Sequence, residues 1–343
     1  MKTRVAVAAL AMTCGCSFAQ VTHYAAPASG DRWMYPFNFS NGFEITAPTF
    51  GAILQSGFDD RDSQFVVTWE TGTVVPSGLD VDRYHVQRVS LRATVANDMV
   101  WRYDPTPDPT ASLYPSTDPQ YVADTDPGRP VELFGVGYRN AASSASWNEY
   151  ASFSTGVPDP GPAEKWRDVF AATFDSAGVA TDISNQVRER LNPVAMAIGS
   201  TDSVVPGSLV PAGTEIVFEV DLCQPQTRAY FARALSEGRL HLSLTSLEPA
   251  SGGPGGGAGG EYPRFFTKEN PEASSDPSLR VQIELDVRVG EHADVNGDTL
   301  VDILDFLDFI GAFGDGDLFA DYDGNCEVDI LDFLDFFADF GSY

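Results

Sequence analysis

The sequence predicts a mainly β protein that ends in a small all-α unit built on paired cation-binding loops. Three observations carry that expectation. Apolar and polar residues alternate in stretches such as Val89-Ser90-Leu91-Arg92-Ala93-Thr94-Val95, which is the period of a half-buried strand. Turn formers recur at short intervals, with 23 Pro and 31 Gly in 343 residues. The last part of the chain repeats itself and changes to helical spacing of Leu and Phe.

The β part is expected over residues 20–290. Its candidate strands include Gln64–Glu70, Val86–Ala96, Met99–Tyr103, Val194–Ile198, Glu215–Val220, Leu240–Leu244 and Leu279–Val289. Short strands separated by turn signals are the pattern of a sandwich or barrel. Two helices are expected within it, Ala163–Phe174 after a Pro-Gly-Pro turn and Pro225–Glu237 ending at Gly238. Three biased stretches interrupt it: Asp104–Pro130, Ser154–Pro162 and the Gly-rich Ser251–Gly260, read as a long loop because a strand-like stretch follows.

Residues 1–19 read as a secretory signal. Lys2 and Arg4 precede a short apolar run, Val5 to Cys16, and Ser17-Phe18-Ala19 fits small-x-small cleavage before Gln20. The run is too short to span a bilayer, which takes about 20 apolar residues, and no later stretch is apolar enough. A secreted, extracellular or cell-surface location is therefore expected. Cys223 and Cys326 would remain after cleavage. An oxidising compartment lets them pair, and two separate thiols are the other reading.

The formal net charge is −28, which argues against nucleic acid and anionic membrane surfaces as partners. The imbalance is local. From Glu291 to Tyr343 there are 15 Asp or Glu and no Lys or Arg. Such a block is a disordered acidic tail or a cation site, and its internal repeat favours the second. DVNGDTLVDILDFLDF from Asp294 aligns with DYDGNCEVDILDFLDF from Asp321, and Val301–Phe309 is identical to Val328–Phe336.

Each copy places oxygen donors at positions 1, 3, 5, 7, 9 and 12 of a twelve-residue loop, the spacing that curls ligands around calcium, with position 7 acting through its carbonyl. In the first copy these are Asp294, Asn296, Asp298, Leu300, Asp302 and Asp305; in the second, Asp321, Asp323, Asn325, Glu327, Asp329 and Asp332. Two Ca²⁺ sites are expected. Val301 and Val328, at position 8, suit a short extended pairing between the loops. Position 6 takes a left-handed backbone and ordinarily holds Gly; here it is Thr299 and Cys326, which predicts strain at Thr299 on the order of 1 kcal/mol. After each loop, Leu304, Phe306, Leu307, Phe309, Ile310 and Phe313, then Leu331, Phe333, Leu334, Phe336, Phe337 and Phe340, fall on helical spacing, with Gly314 and Gly341 as stops. The apolar faces either pack on each other or leave a docking face.

Asp at position 12 and the lack of an entering helix set these loops apart from the general EF-hand. In both respects residues 291–343 resemble a type I dockerin, and the GC-type dockerin modules at the C-termini of many secreted bacterial proteins. The resemblance implies two calcium loops, each followed by one helix, packed antiparallel, and a cohesin-like or cell-surface protein as partner. In type I dockerins, loop positions 10 and 11 help choose the partner. Here they are Ile303-Leu304 and Ile330-Leu331, apolar in both copies where polar pairs are common.

Fragments of the β part resemble the jelly-roll sandwiches of secreted carbohydrate-associated proteins: Thr181-Asp182-Ile183-Ser184, Val217-Phe218-Glu219-Val220-Asp221 and Phe265-Phe266-Thr267-Lys268-Glu269. No nucleophile elbow, H-E-x-x-H, C-x-x-C or phosphate loop follows the signal, and His23, His85, His241 and His292 lack metal spacing. Glu70, Glu149 and Glu219 are candidate catalytic carboxylates or ordinary surface charges. Trp101, Tyr103, Trp147 and Tyr150 are candidates for stacking on an extracellular glycan or anchors of loops on the core. Asp59, Asp60 and Asp62 form a charged turn with the makings of a structural calcium site. The expected function is a non-catalytic, calcium-binding cargo with an attachment module, carbohydrate binding being its candidate activity. A polysaccharide-degrading glycoside hydrolase or lyase with the same appendage is the alternative.

Overall fold

A computed structural model describes residues 21–155, 167–250 and 261–343. The expected signal segment 1–19, residues 156–162 of the proline-rich stretch and the Gly-rich Ser251–Gly260 lie outside the described residues.

The body is mainly β and antiparallel throughout its named ladders. One sheet has four strands: β1 (Thr22–Pro27), β13 (Gln282–Val289), β5 (Tyr84–Thr94) and β10 (Glu215–Glu219), in that order. A second runs β2 (Gly30–Met34), β4 (Gln64–Trp69), β11 (Leu240–Ser246), β6 (Val131–Tyr138), β7 (Val169–Phe174) and β8 (Ala180–Asp182), with β9 (Ala197–Ile198) also on β6. A small ribbon joins β3 (Thr46–Pro48) to β12 (Arg264–Phe266).

The pleat explains the core. In β5 the inward set Tyr84, Val86, Val89, Leu91 and Ala93 is buried, and β13 answers with Ile283, Leu285 and Val287. The first sheet can expose its other face and therefore alternates. By contrast β4 and β11 are buried at every position, and the polar residues Gln64, Thr68, His241, Ser243 and Thr245 are buried along with the apolar ones. One apolar cluster takes Leu91, Leu285 and Phe218 from the first sheet and Phe65, Trp69, Leu133 and Leu244 from the second.

Helix α1 (Pro225–Glu237) forms as expected. Pro225 sits in the first turn, where its missing N–H costs nothing, and Gly238 closes the helix at φ +73. Phe231 and Leu235 of α1 join the core cluster. A short helix, α2 (Pro271–Ser275), starts on an Asn270 cap.

Several expectations need correction. The helix expected over Ala163–Phe174 is, in its described part, strand β7, with Val169 to Ala172 buried and paired to β6. Val169, Phe170, Thr173 and Phe174 are β-branched or aromatic and favour a strand, and pairing with β6 places them in the buried sheet. Met99–Tyr103 is not a strand. Trp101 and Tyr103 are core side chains, with only an isolated bridge between Arg102 and Leu209. Of Val194–Ile198 only Ala197–Ile198 pairs.

The C-terminal region is helical: α3 (Ile303–Asp315) and α4 (Ile330–Phe340). Gly314 is inside α3, and the stop is Gly316 in the left-handed region at φ +67. The two faces of each helix differ. Phe306, Phe309, Phe313, Phe333, Phe336 and Phe340 pack together, with the Phe309 and Phe336 rings stacked at 4.0 Å. Burying each of those two rings is worth about 1.5–3 kcal/mol. The leucines expected on the same spacing, Leu304, Leu307, Leu331 and Leu334, lie exposed on the other side.

Candidate metal centre

Each C-terminal loop folds by the same hydrogen bonds. At position 1, Asp294 Oδ2 accepts from the Thr299 N–H and Asp321 Oδ2 from the Cys326 N–H, both at 3.0 Å. At position 3, Asn296 and Asp323 accept from the amides of Asp298 and Asn325. At position 5, Asp298 and Asn325 accept from Leu300 and Glu327. At position 12, Asp305 accepts from the amides of Asn296 and Asp302, and Asp332 from Tyr322, Asp323 and Asp329. Asp302 and Asp329 cap α3 and α4 in complete capping boxes. A twelve-residue register thus repeats almost bond for bond.

Thr299 and Cys326 hold φ values of +75 and +66, the left-handed backbone expected at position 6. The side chain of Leu300 is exposed, so only its carbonyl is available inward. Val301 and Val328 pack on the helical cluster, and among the described residues no β-bridge joins them.

The donor set fits a hard divalent cation. Asp305 and Asp332 are fully buried, and Asp294 Oδ1 and Asp321 Oδ1 are buried with no hydrogen-bond partner. An unpaired buried carboxylate oxygen is costly unless a cation meets it. Burial pushes the Asp294 carboxyl above its ordinary pKa, with Asp305 adding repulsion, and burial does the same to Asp323. Asp321, Asp323 and Asp332 bring carboxylate oxygens within 4.8 Å of one another, close enough to share one ion. Oxygen-only donors suit calcium.

The body positions both loops. The buried Arg288, on β13, donates to the carbonyls of Glu291, His292 and Asp294 at 2.9, 3.1 and 2.6 Å. His292 stacks between His85 of the body, at 4.5 Å, and Tyr322 of the second loop, at 3.7 Å. Arg228 on α1 lies 3.6 Å from Asp321 Oδ2, and any Cβ at Gly324 (φ +78) would collide with its guanidinium. Cys223, ahead of α1, is disulfide-bonded to Cys326. The second loop is therefore tied to the body by a covalent bond, an ion pair and a ring stack. Arg228 was not visible as a site neighbour in the sequence, since the contact spans more than 90 positions.

The other expected groups are engaged elsewhere. Glu70 pairs with Arg239 at 2.5 Å, Glu149 with Lys268 at 2.8 Å, and Glu219 accepts from Ser90 at 2.8 Å. Trp101, Tyr103 and Trp147 are buried and anchor the core, whereas Tyr150 is exposed beside Phe43, ring centroids 5.6 Å apart. Asp59, Asp60 and Asp62 are buried, not a solvated turn. Arg167 meets Asp59 at 2.6 Å and Arg188 lies 3.8 Å from Asp60, so guanidinium groups, rather than a metal ion, face these carboxylates. A second acidic group close enough to share an ion, Asp104, Asp108 and Asp126, lies in the Pro/Asp/Thr-rich loop. Its members follow no ligand spacing, so the sequence did not mark it.

No protein-family model matches the chain, and no curated protein matches it. Among the described residues, no helix is long and apolar enough to cross a membrane.

Proposed function

We propose that this chain is an exported, non-catalytic cargo whose residues 291–343 form a calcium-ordered attachment module of the dockerin kind. The observation that carries this reading is the duplicated loop, in which the position-1 aspartate accepts one backbone amide through Oδ2 and keeps its buried Oδ1 without a hydrogen-bond partner. Two Ca²⁺ ions complete the loops, held by Asp294, Asn296, Asp298, the Leu300 carbonyl, Asp302 and Asp305, and by Asp321, Asp323, Asn325, the Glu327 carbonyl, Asp329 and Asp332.

The body is read as a jelly-roll-like sandwich, which is supported by one core fed from both large sheets. Glu70 and Glu149 pair with Arg239 and Lys268, and Glu219 accepts from Ser90, so each has a structural partner. The exposed pair Phe43 and Tyr150 supports glycan contact, since an exposed ring face stacks on a sugar at little cost.

Attachment runs through the outer faces of α3 and α4. Ile303, Leu304 and Leu307 recur as Ile330, Leu331 and Leu334, all more than half exposed. Repeated large apolar residues left in water mark an interaction surface. The partner is a cohesin-like surface protein with an apolar face opposite loop positions 10 and 11. Titration of the full chain against a panel of cohesin modules tests this. Binding in calcium that is lost in chelator and in Leu304→Asp/Leu331→Asp supports it; no binding to any member overturns the partner assignment.

A further inference from the structure

The long loop Asp104–Pro130 has a built base. Its first residue follows Trp101 and Tyr103, both buried in the core, and the Tyr103 N–H donates to the Ser208 carbonyl at 2.9 Å. Gly128 (φ +109) brings the far end back; a Cβ there would stand 2.9 Å from the Arg102 carbonyl and 3.2 Å from the Asp104 side chain. The two ends of the loop therefore meet at Asp104.

Carboxylates outnumber cations at that meeting point. Asp108, Asp124 and Glu248 gather around the Arg129 guanidinium, and Asp104 and Asp126 lie beside these carboxylates. Arg129 reaches Asp108 Oδ2 at 2.7 Å and also Asp124, and its backbone N–H donates to Glu248 at 3.1 Å. Among the described residues, neither Asp104 nor Asp126 forms an ion pair. They share only Thr106, whose hydroxyl contacts Asp104 Oδ1 at 2.7 Å and Asp126 Oδ2 at 2.9 Å.

Asp104 is the deciding residue. It is 3% exposed, and its Oδ2 is buried with no hydrogen-bond partner. A carboxylate oxygen so placed lacks the compensation that buried charges require. Oxygens of Asp104, Asp108 and Asp126 lie within 4.8 Å of one another, so one ion can meet all three. The donors are all oxygens, with neither His nor Cys in the group, which selects a hard cation.

We propose a third calcium site, separate from the C-terminal loops, in which Asp104, Asp108 and Asp126 bind one Ca²⁺ that closes the Asp104–Pro130 loop onto the body. Three carboxylates with water completing the shell place it in the weaker range of extracellular calcium modules, Kd about 10⁻⁴–10⁻³ M. Its role is structural: the ion supplies the charge that Arg129 alone leaves unmet.

The test is calcium titration calorimetry on the full, chelator-stripped chain, comparing wild type with Asp126→Asn and with Asp104→Asn/Asp126→Asn. The double variant is expected to bind one Ca²⁺ fewer per chain, and Asp126→Asn, an exposed change that leaves folding intact, to weaken one site at least about tenfold. Because the readout is a difference of one, it holds whether or not the C-terminal loops bind. An unchanged count with unchanged affinities in Asp126→Asn would overturn the site.

Discussion

Cys326, at the sixth position of the second loop, is covalently bonded to Cys223, two residues ahead of α1, with their Cα atoms 5.3 Å apart. The link joins the body to the second acidic loop itself. It spans 103 positions of sequence and fixes the one residue whose amide closes on Asp321.

Reducing this bond, or Cys223→Ser, should destabilise the C-terminal region by about 2–4 kcal/mol, because the closed segment is long. The second metal site should weaken and the first should not. Thermal unfolding and calcium titration with and without reductant check this; equal weakening of both sites would contradict a local tether.

Thr299 carries a β-branched side chain at φ +75. Thr299→Gly should relieve about 1 kcal/mol and tighten the first calcium site about fivefold. Titration calorimetry reads the change, and weaker binding would show that the threonine is not strained.

Arg228 sets a positive charge 3.6 Å from Asp321, where it competes with a divalent ion. Arg228→Met keeps the apolar stem and removes the charge. Second-site affinity should rise by about 1 kcal/mol, roughly fivefold, with a smaller gain at high salt. A loss of affinity would mean that Arg228 shapes the loop rather than opposing the cation.

His241 is buried on β11 between Tyr138 and Trp147, and burial pushes its pKa down to about 3, with Arg239 adding repulsion. The unfolded chain takes up that proton first, near pH 6.5. Stability linked to His241 is therefore full above pH 6.5 and falls by about 1.4 kcal/mol per unit as pH drops towards 3. Asp62, pushed up to about 7 mainly by burial, has the opposite slope. The difference between wild type and His241→Gln isolates the histidine: thermal unfolding should converge between pH 6.5 and 4. Parallel curves would contradict this.

Local features were legible where chemistry recurs at short range. The left-handed position 6 of each repeated acidic loop and α1 between Pro225 and Gly238 could both be read from neighbours in sequence. Features set by partners distant in sequence were not. Val169–Phe174 lies in a helix-forming context yet becomes a strand because β6 pairs with it. For Trp101 and Tyr103 the sequence left glycan stacking and core anchoring both open, and the structure buries both rings in the core. Which helical face is buried was undecided as well: Phe and Leu share one spacing, and only the packed structure separates the clustered Phe from the exposed Leu. The Asp104 group gathers residues from across a long loop with no period.

Whether calcium orders the duplicated loops is decided by amide hydrogen exchange of the full chain with calcium and with chelator. Exchange at residues 294–305 and 321–332 should slow at least about tenfold in calcium, Thr299 and Cys326 included, while β5 and β13 stay unchanged. Equal exchange in the two loops under both conditions would contradict a calcium-ordered module.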